Sequence, residues 1–497
     1  MTEPCDLTAV EARRLIGRRA LSPVELLESC LTRIDETDHA VNAVVARDDA
    51  ASRAAAKAAE QMMMNGEELG PLHGLPVGIK DLTATKGLRT TWGSPLFRDH
   101  VPEEDHSLVA NIRAAGGIIA GKTNTPEFGA GANTRNAVYG ATGNPFDPTK
   151  NAAGSSGGSG VALAVNQFPL CSGSDMGGSL RNPAAFNGIV GFRPTPGAVP
   201  DEEKKLGWSG LGVQGPMARN VPDLALLMSV MSTNQAHDPL ATTIHNKRVR
   251  EPGDFHPIQP IDLGGLRVAI TPDFGFAPTE NHIREVFAEK VALLKHFFRS
   301  ADDATPDCTG TDEAFEVLRS TNFVAGHIEN WNKARDKLGP NIVANMTEAL
   351  KYTIADISRA SALQTQLYQR WQGFFRDYDV ILSPAITISP RPWTELFPKE
   401  IDGKPTRTYF HWLALAYAVT VVGHPAISLP VGRDRAGMPF GLQIVGPRGG
   451  DATVIRVAAA LEEALASDPR TRRPVPDIAA LKAAPPISGM PHFMGFN

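Results

Sequence analysis

Between residues 75 and 215 the sequence alternates short apolar runs with loops dominated by Gly, Ser, Thr and Asn. The runs, 75–79, 118–120, 168–171 and 189–192, are too short for helices and the right length for buried strands. Loops so rich in small polar residues cannot supply a core, so the runs must gather into a sheet with the loops at its margin. That constraint gives an α/β fold. Helices are read on either side of it. Ser22-Pro23-Val24-Glu25 is an N-cap serine, a proline at the first helical position and a glutamate placed for a capping box. Leu26, Leu27, Cys30, Leu31 and Ile34 then follow on one face, and Asn65-Gly66 ends an alanine-rich helix over 50–64.

Further along, 221–231 reads as helix, 234–264 as a polar crossing segment, 266–270 as strand and 280–298 as helix. Residues 311–376 read as nearly continuous helix broken near Gly339-Pro340, and the aromatics along it read as core packing. Strands are expected at 380–382, 426–429 and 441–445, and a helix at 453–465. The expected division is a helical segment over 1–74, a main domain over 75–466 with a helical insertion at 311–376, and an extension over 467–497.

Composition excludes several roles. The net charge is −5, so a protein built to wrap nucleic acid is not expected. Four cysteines, Cys5, Cys30, Cys171 and Cys308, stand without a C-x-x-C pair, which argues against a disulfide framework or structural zinc. The first fourteen residues carry charges and no apolar core, and no run approaches a membrane span. A cytoplasmic protein, monomeric or homodimeric and without cofactor, metal or membrane partner, is expected.

Three motifs compete for the chemistry. Gly116 to Thr123 spells a phosphate loop, but its interior Ile118-Ile119-Ala120 is strand material and Pro126 stands where a helix should be running. Gly154-Ser155-Ser156-Gly157-Gly158 fits a nucleophile elbow with Ser156 as nucleophile, giving an α/β-hydrolase-type esterase as an alternative. The strand that an elbow needs before it is missing, and His411 and His424 are not marked as bases. The third pattern spans a hundred residues. It joins Gly78-Ile79-Lys80-Asp81 after an apolar strand, the glycine-rich loop from Gly154 to Gly160, and Gly173-Ser174-Asp175-Met176-Gly177-Gly178-Ser179. Glycines in such number imply backbone conformations closed to other residues. The Gly177-Gly178-Ser179 turn can gather backbone N–H groups as an oxyanion hole does.

These residues resemble the amidase signature family, which hydrolyses amides with a serine–cis-serine–lysine triad. Flanking text agrees, from Gly121-Lys122-Thr123-Asn124 through Gly191-Phe192-Arg193-Pro194 to His424-Pro425-Ala426 and Gly441-Leu442-Gln443. The resemblance covers roughly residues 7–465 and implies a large mixed β-sheet covered by helices on both faces. It carries the lysine onto Lys80, the cis-serine onto Ser155 and the nucleophile onto Ser179. The separation of 24 positions from Ser155 to Ser179 matches the family spacing. One departure is Met176, where many members have threonine.

The implied chemistry is hydrolysis of a small-molecule amide, aryl or acyl and possibly a carbamate, through an acyl-enzyme on Ser179. Lys80 must be neutral to accept the proton, which desolvation achieves. The N–H groups of Met176, Gly177 and Gly178 are the expected oxyanion donors. Asp175 and Arg181 are expected to brace the turn. Phe128, Asn322, Phe323 and Trp331 are expected substrate contacts, together with Met176. The alternative within the family is the glutaminase subunit of a tRNA-dependent amidotransferase. Such subunits usually read threonine at the position of Met176, and the stretch from Pro194 to Val199 looks more like stand-alone amidases.

Overall fold

A computed structural model describes residues 3–232, 237–241 and 251–494, with the backbone of 243–244 and 247–248. The expected crossing segment over 234–264 lies partly outside the described residues. Eleven strands form one sheet, numbered here in chain order: Val44–Ala46 (β1), Pro76–Lys80 (β2), Ile118–Thr123 (β3), Leu170–Asp175 (β4), Val190–Arg193 (β5), Val213–Ala218 (β6), Arg267–Ile270 (β7), Ser300–Asp303 (β8), Val380–Pro384 (β9), Ala426–Arg433 (β10) and Pro439–Val445 (β11). Their order across the sheet is β1-β3-β2-β4-β6-β5-β10-β11-β9-β7-β8. The sheet is mixed. β3, β2 and β4 run parallel, as do β9, β7 and β8, while β4 through β9 across the centre pair antiparallel.

Alternation along single strands shows two buried faces. Val268 and Ile270 of β7 join one apolar core and Ala269 the other; Val380 and Leu382 of β9 oppose Ile381 in the same way. The first core takes in helices Ala9–Gly17, Val221–Met231, Asn281–Leu294 and Asp451–Leu465. The opposite face is covered by Pro23–Val41, Gly157–Ala164 and Ala414–Val422. The Ser22 capping box forms, and Gly66 closes helix Asp49–Asn65 in the left-handed conformation at φ 75°.

The N-terminal helical segment also contributes a strand. Val44–Ala46 leaves it to pair antiparallel with β3, so this stretch supplies an edge of the sheet. Three residues are too few to show a strand periodicity, which is why the pairing is invisible in sequence. The C-terminal extension wraps back onto the N-terminal helices. Helix Ile478–Ala483 packs on Pro23–Val41, with Lys482 Nζ 2.6 Å from Glu36 and His39 Nε2 2.9 Å from the Ala484 carbonyl. The insertion comprises helices Thr311–Ala334, Pro340–Ala349 and Ile354–Phe374, and Pro340 begins its helix with Gly339 as N-cap.

Candidate active site

β2 and β4 run side by side and parallel, so their C-terminal ends, Lys80 and Asp175, come to the same margin of the sheet. Lys80 is 1% exposed. Its Nζ donates to Ser155 Oγ at 2.7 Å and to Ser174 Oγ at 2.9 Å, while its backbone N–H donates to Ser172 Oγ at 3.1 Å. Burial lowers the Lys80 ammonium to about 7, against a smaller opposing pull from the Asp175 charge. Ser174 is a contact that sequence reasoning missed. Its position on β4 beside the lysine strand was the signal that could have found it.

Ser155 follows a cis Gly154–Ser155 peptide and precedes helix Gly157–Ala164. The glycines around it serve a different purpose from the expected one. None of Gly154, Gly157, Gly158 and Gly160 has a positive φ. They allow close approach: a Cβ on Gly158 would lie 2.2 Å from the Asn124 backbone nitrogen, and one on Gly157 equally near Thr134 Oγ1. Ser156 sits beside Ser155 but is fully buried, with its hydroxyl 3.4 Å from both the N–H and the carbonyl of Ser174. No histidine approaches it among the described residues. His424 contacts the Gly446 carbonyl at 2.9 Å among aromatic rings, and His411 accepts from the Arg407 N–H. The elbow reading therefore has no base.

Ser179 stands in the turn between β4 and helix Arg181–Asn187. Its half-buried hydroxyl has no hydrogen-bond partner among the described residues and faces the same cavity as Ser155. Gly178 must be glycine there: φ is +99°, and a Cβ would fall 2.5 Å from Ala416 Cβ. Its N–H, expected as an oxyanion donor, donates to Asp175 Oδ1 at 3.0 Å in this structure. The N–H groups of Met176, Gly177 and Ser179 have no acceptor among the described residues and are the donors left for an oxyanion. Asp175 is wholly inside. Burial pushes its carboxyl up, but the guanidinium groups of Arg181 and Arg193 outweigh that and hold it well below the usual carboxylate range.

The cavity is about 280 Å³. Beyond the serines, its wall includes four of the residues expected to contact substrate, Phe128, Met176, Asn322 and Phe323. Trp331 does not line it. The residue lies two helical turns past Phe323, packed with Phe323 and Ile342 and with the Arg335 guanidinium 4.1 Å from its ring. That stripe of helix Thr311–Ala334 instead reaches the cavity through Phe315, Arg319 and His327. Helical spacing would have found them, since Arg319 lies three residues before Asn322, Phe315 four before Arg319 and His327 four after Phe323. Tyr409, Phe410 and Leu413 add a wall that no motif marked.

The phosphate-loop spelling lies on β3. Lys122 is buried there, donating to the Thr83 carbonyl and to Thr85 Oγ1 at 2.9 Å, and it takes no part in the cavity.

A family model described as Amidase matches residues 25–455. An acylamidase from Rhodococcus erythropolis is 34% identical over 460 residues, covering 92% of this chain and 95% of that protein. One of the subunits of a glutamyl-tRNA(Gln) amidotransferase from Streptomyces coelicolor is 32% identical, covering 93% of this chain and 97% of that one. Among solved structures, a bacterial aryl acylamidase of the amidase signature family superposes with a TM-score of 0.84 at 25% identity, over 98% of this chain and 99% of that one.

Proposed function

Because the chain belongs to the amidase signature family, hydrolases of carbon–nitrogen bonds other than peptide bonds, we propose that it cleaves small-molecule amides through an acyl-enzyme on Ser179. The observation that carries this reading is the 2.7 Å contact of Lys80 Nζ with Ser155 Oγ under a cavity that also exposes Ser179. With its ammonium lowered to about 7, Lys80 is a neutral amine in part of the population at neutral pH. Ser155 passes its proton to that amine and takes one from Ser179, whose oxygen attacks the amide carbonyl. The developing oxyanion meets the N–H groups of Met176, Gly177 and Ser179. Lys80 returns the proton through Ser155 to the departing amine, without which the C–N bond does not break. Water then repeats the sequence on the ester.

The Ser155–Ser179 link is open in this unliganded geometry, and hydrogen bonds of this kind tighten with substrate in place. Intact mass spectrometry on a slowly deacylating aryl ester tests the proposal. The acyl adduct should form on the wild type and be absent from Ser179→Ala. Ser155→Ala should lose nearly as much activity as Ser179→Ala, and the double variant little more, because the residues act as one unit. Full amide hydrolysis by Ser179→Ala would overturn the assignment.

A second reading, the glutaminase subunit of a tRNA-dependent amidotransferase, is favoured by the full-length match to glutamyl-tRNA(Gln) amidotransferase chains. Met176 and the aryl acylamidase likeness favour the stand-alone enzyme. Ammonia release from glutamine that depends on co-purifying chains would decide for the amidotransferase role.

A further inference from the structure

The helix stripe facing the cavity carries a buried cation without an anion. Arg319 is 6% exposed, and it donates from Nη1 to Asn345 Oδ1 and from Nη2 to the Tyr409 hydroxyl, both neutral groups. Among the described residues no carboxylate forms an ion pair with it; Glu316, one turn earlier, acts on it only through space. Arg219 is likewise buried, but its donors are taken by the Cys5 and Leu7 carbonyls and Asn166 Oδ1 and it lines no part of the cavity, while three other buried arginines have carboxylate partners. Arg181 and Arg193 share Asp175, and Arg33 pairs with Glu3 and Asp6. The rings of Phe323 and Phe410 lie 4.2 and 4.6 Å from the Arg319 guanidinium carbon, shielding the group from water and leaving it to line the cavity.

A guanidinium in such surroundings has paid desolvation without the partner that normally offsets it, and a planar carboxylate is the ligand its fork of N–H groups fits. The charges around it agree. Lys204 and Lys205 line the same cavity, the former also 3.9 Å from Asp238. The two lining carboxylates are already committed, Asp175 to its arginines and Asp201 to His106 at 3.3 Å. We infer that Arg319 is a specificity-determining residue and that the amide substrate carries a carboxylate, bound at the Arg319 end of the cavity. This inference rests on the amidase reading above.

The test compares kcat/KM on matched amides at mildly alkaline pH. N-phenylsuccinamate against butyranilide places the carboxylate on the acyl side; 4-acetamidobenzoate against acetanilide places it on the amine side. In one of these pairs the charged member should be preferred by about tenfold or more, the range of a charge-assisted hydrogen bond, mainly through KM. Arg319→Gln should bring that ratio to about one while neutral anilides still turn over, and Arg319→Lys should keep part of it. A merely structural role would lower charged and neutral substrates alike. Hydrolysis of neutral anilides by the wild type with no preference in either pair overturns the inference, needs no variant to fold, and leaves the amidase reading standing. If no amide is hydrolysed, the amidase reading fails by itself. Calorimetry with N-phenylsuccinamate and butyranilide then decides the subsite: tighter binding of the anion supports it, and equal binding overturns it.

Discussion

Arg181 grips the Asp175 carboxylate through two parallel hydrogen bonds, Nε to Oδ2 at 3.0 Å and Nη2 to Oδ1 at 2.9 Å, with both side chains fully buried. The same carboxylate accepts the Gly178 N–H, so the ion pair shapes the turn that ends at Ser179.

Asp175→Asn removes the charge and leaves Arg181 and Arg193 buried without it. The expected loss is about 3–5 kcal/mol in urea unfolding, the usual result of breaking a buried pair from one side. The variant also removes the charge that raises Lys80, so the acid limb of any residual activity should move to lower pH. A limb that stays in place would show that Asp175 does not act on the lysine.

The pH profile of the wild type follows from Lys80. Its amine must be free, so kcat/KM should fall about tenfold per unit below a pH of about 7. Histidine replacements should not remove that limb. Burial lowers His327 to about 4 and His424 to about 3, and both are already neutral there.

The same lysine carries a stability cost. Its folded value, about 7, lies below the ordinary 10.5, so between these the unfolded chain binds the extra proton and stability rises with pH. Lys80→Met should therefore stabilise the fold most below pH about 7, by a few kcal/mol, with the gain shrinking toward 10.5. Thermal melts across that range check it, and a gain that grows with pH would contradict the sign.

Trp331 and Phe323 share a helix and a hydrophobic cluster but differ in their relation to the cavity. Trp331→Ala should cost about 1–3 kcal/mol and leave the ranking of amide substrates unchanged. Phe323→Ala and Asn322→Leu should change the ranking. The assay is the order of kcat/KM over a panel of anilides and aliphatic amides.

Sequence legibility followed the kind of constraint at each place. Lys80, Ser155 and Ser179 could be read because each sits in a short motif whose glycines admit few substitutes, as at Gly178. Strands such as β2 and β3 announced themselves as apolar runs. β1 and β8 did not, because an edge strand is defined by its neighbour's hydrogen bonds rather than by its own burial. The far wall of the cavity was only half legible. Helical spacing extends from Asn322 to Arg319, but where along the axis the cavity stops depends on tertiary packing, so Trp331 was placed too near. Which N–H of the turn Asp175 accepts, that of Gly178, was not legible either.

The wall opposite the serines comes from helix Thr311–Ala334, whereas the lysine and the serines come from residues 80–179. Glu127 joins the serine-bearing stretch to the start of the next helix, Pro340–Ala349, accepting from the Ser94 hydroxyl on one oxygen and from the Gly339 N–H on the other. Much of the cavity wall thus comes from stretches of the chain other than the one that carries the lysine and the serines, with Phe128 and Met176 as exceptions. Under the proposed reaction, substitutions in the helical stretch should change which amides are admitted while leaving Lys80, Ser155 and Ser179 in place.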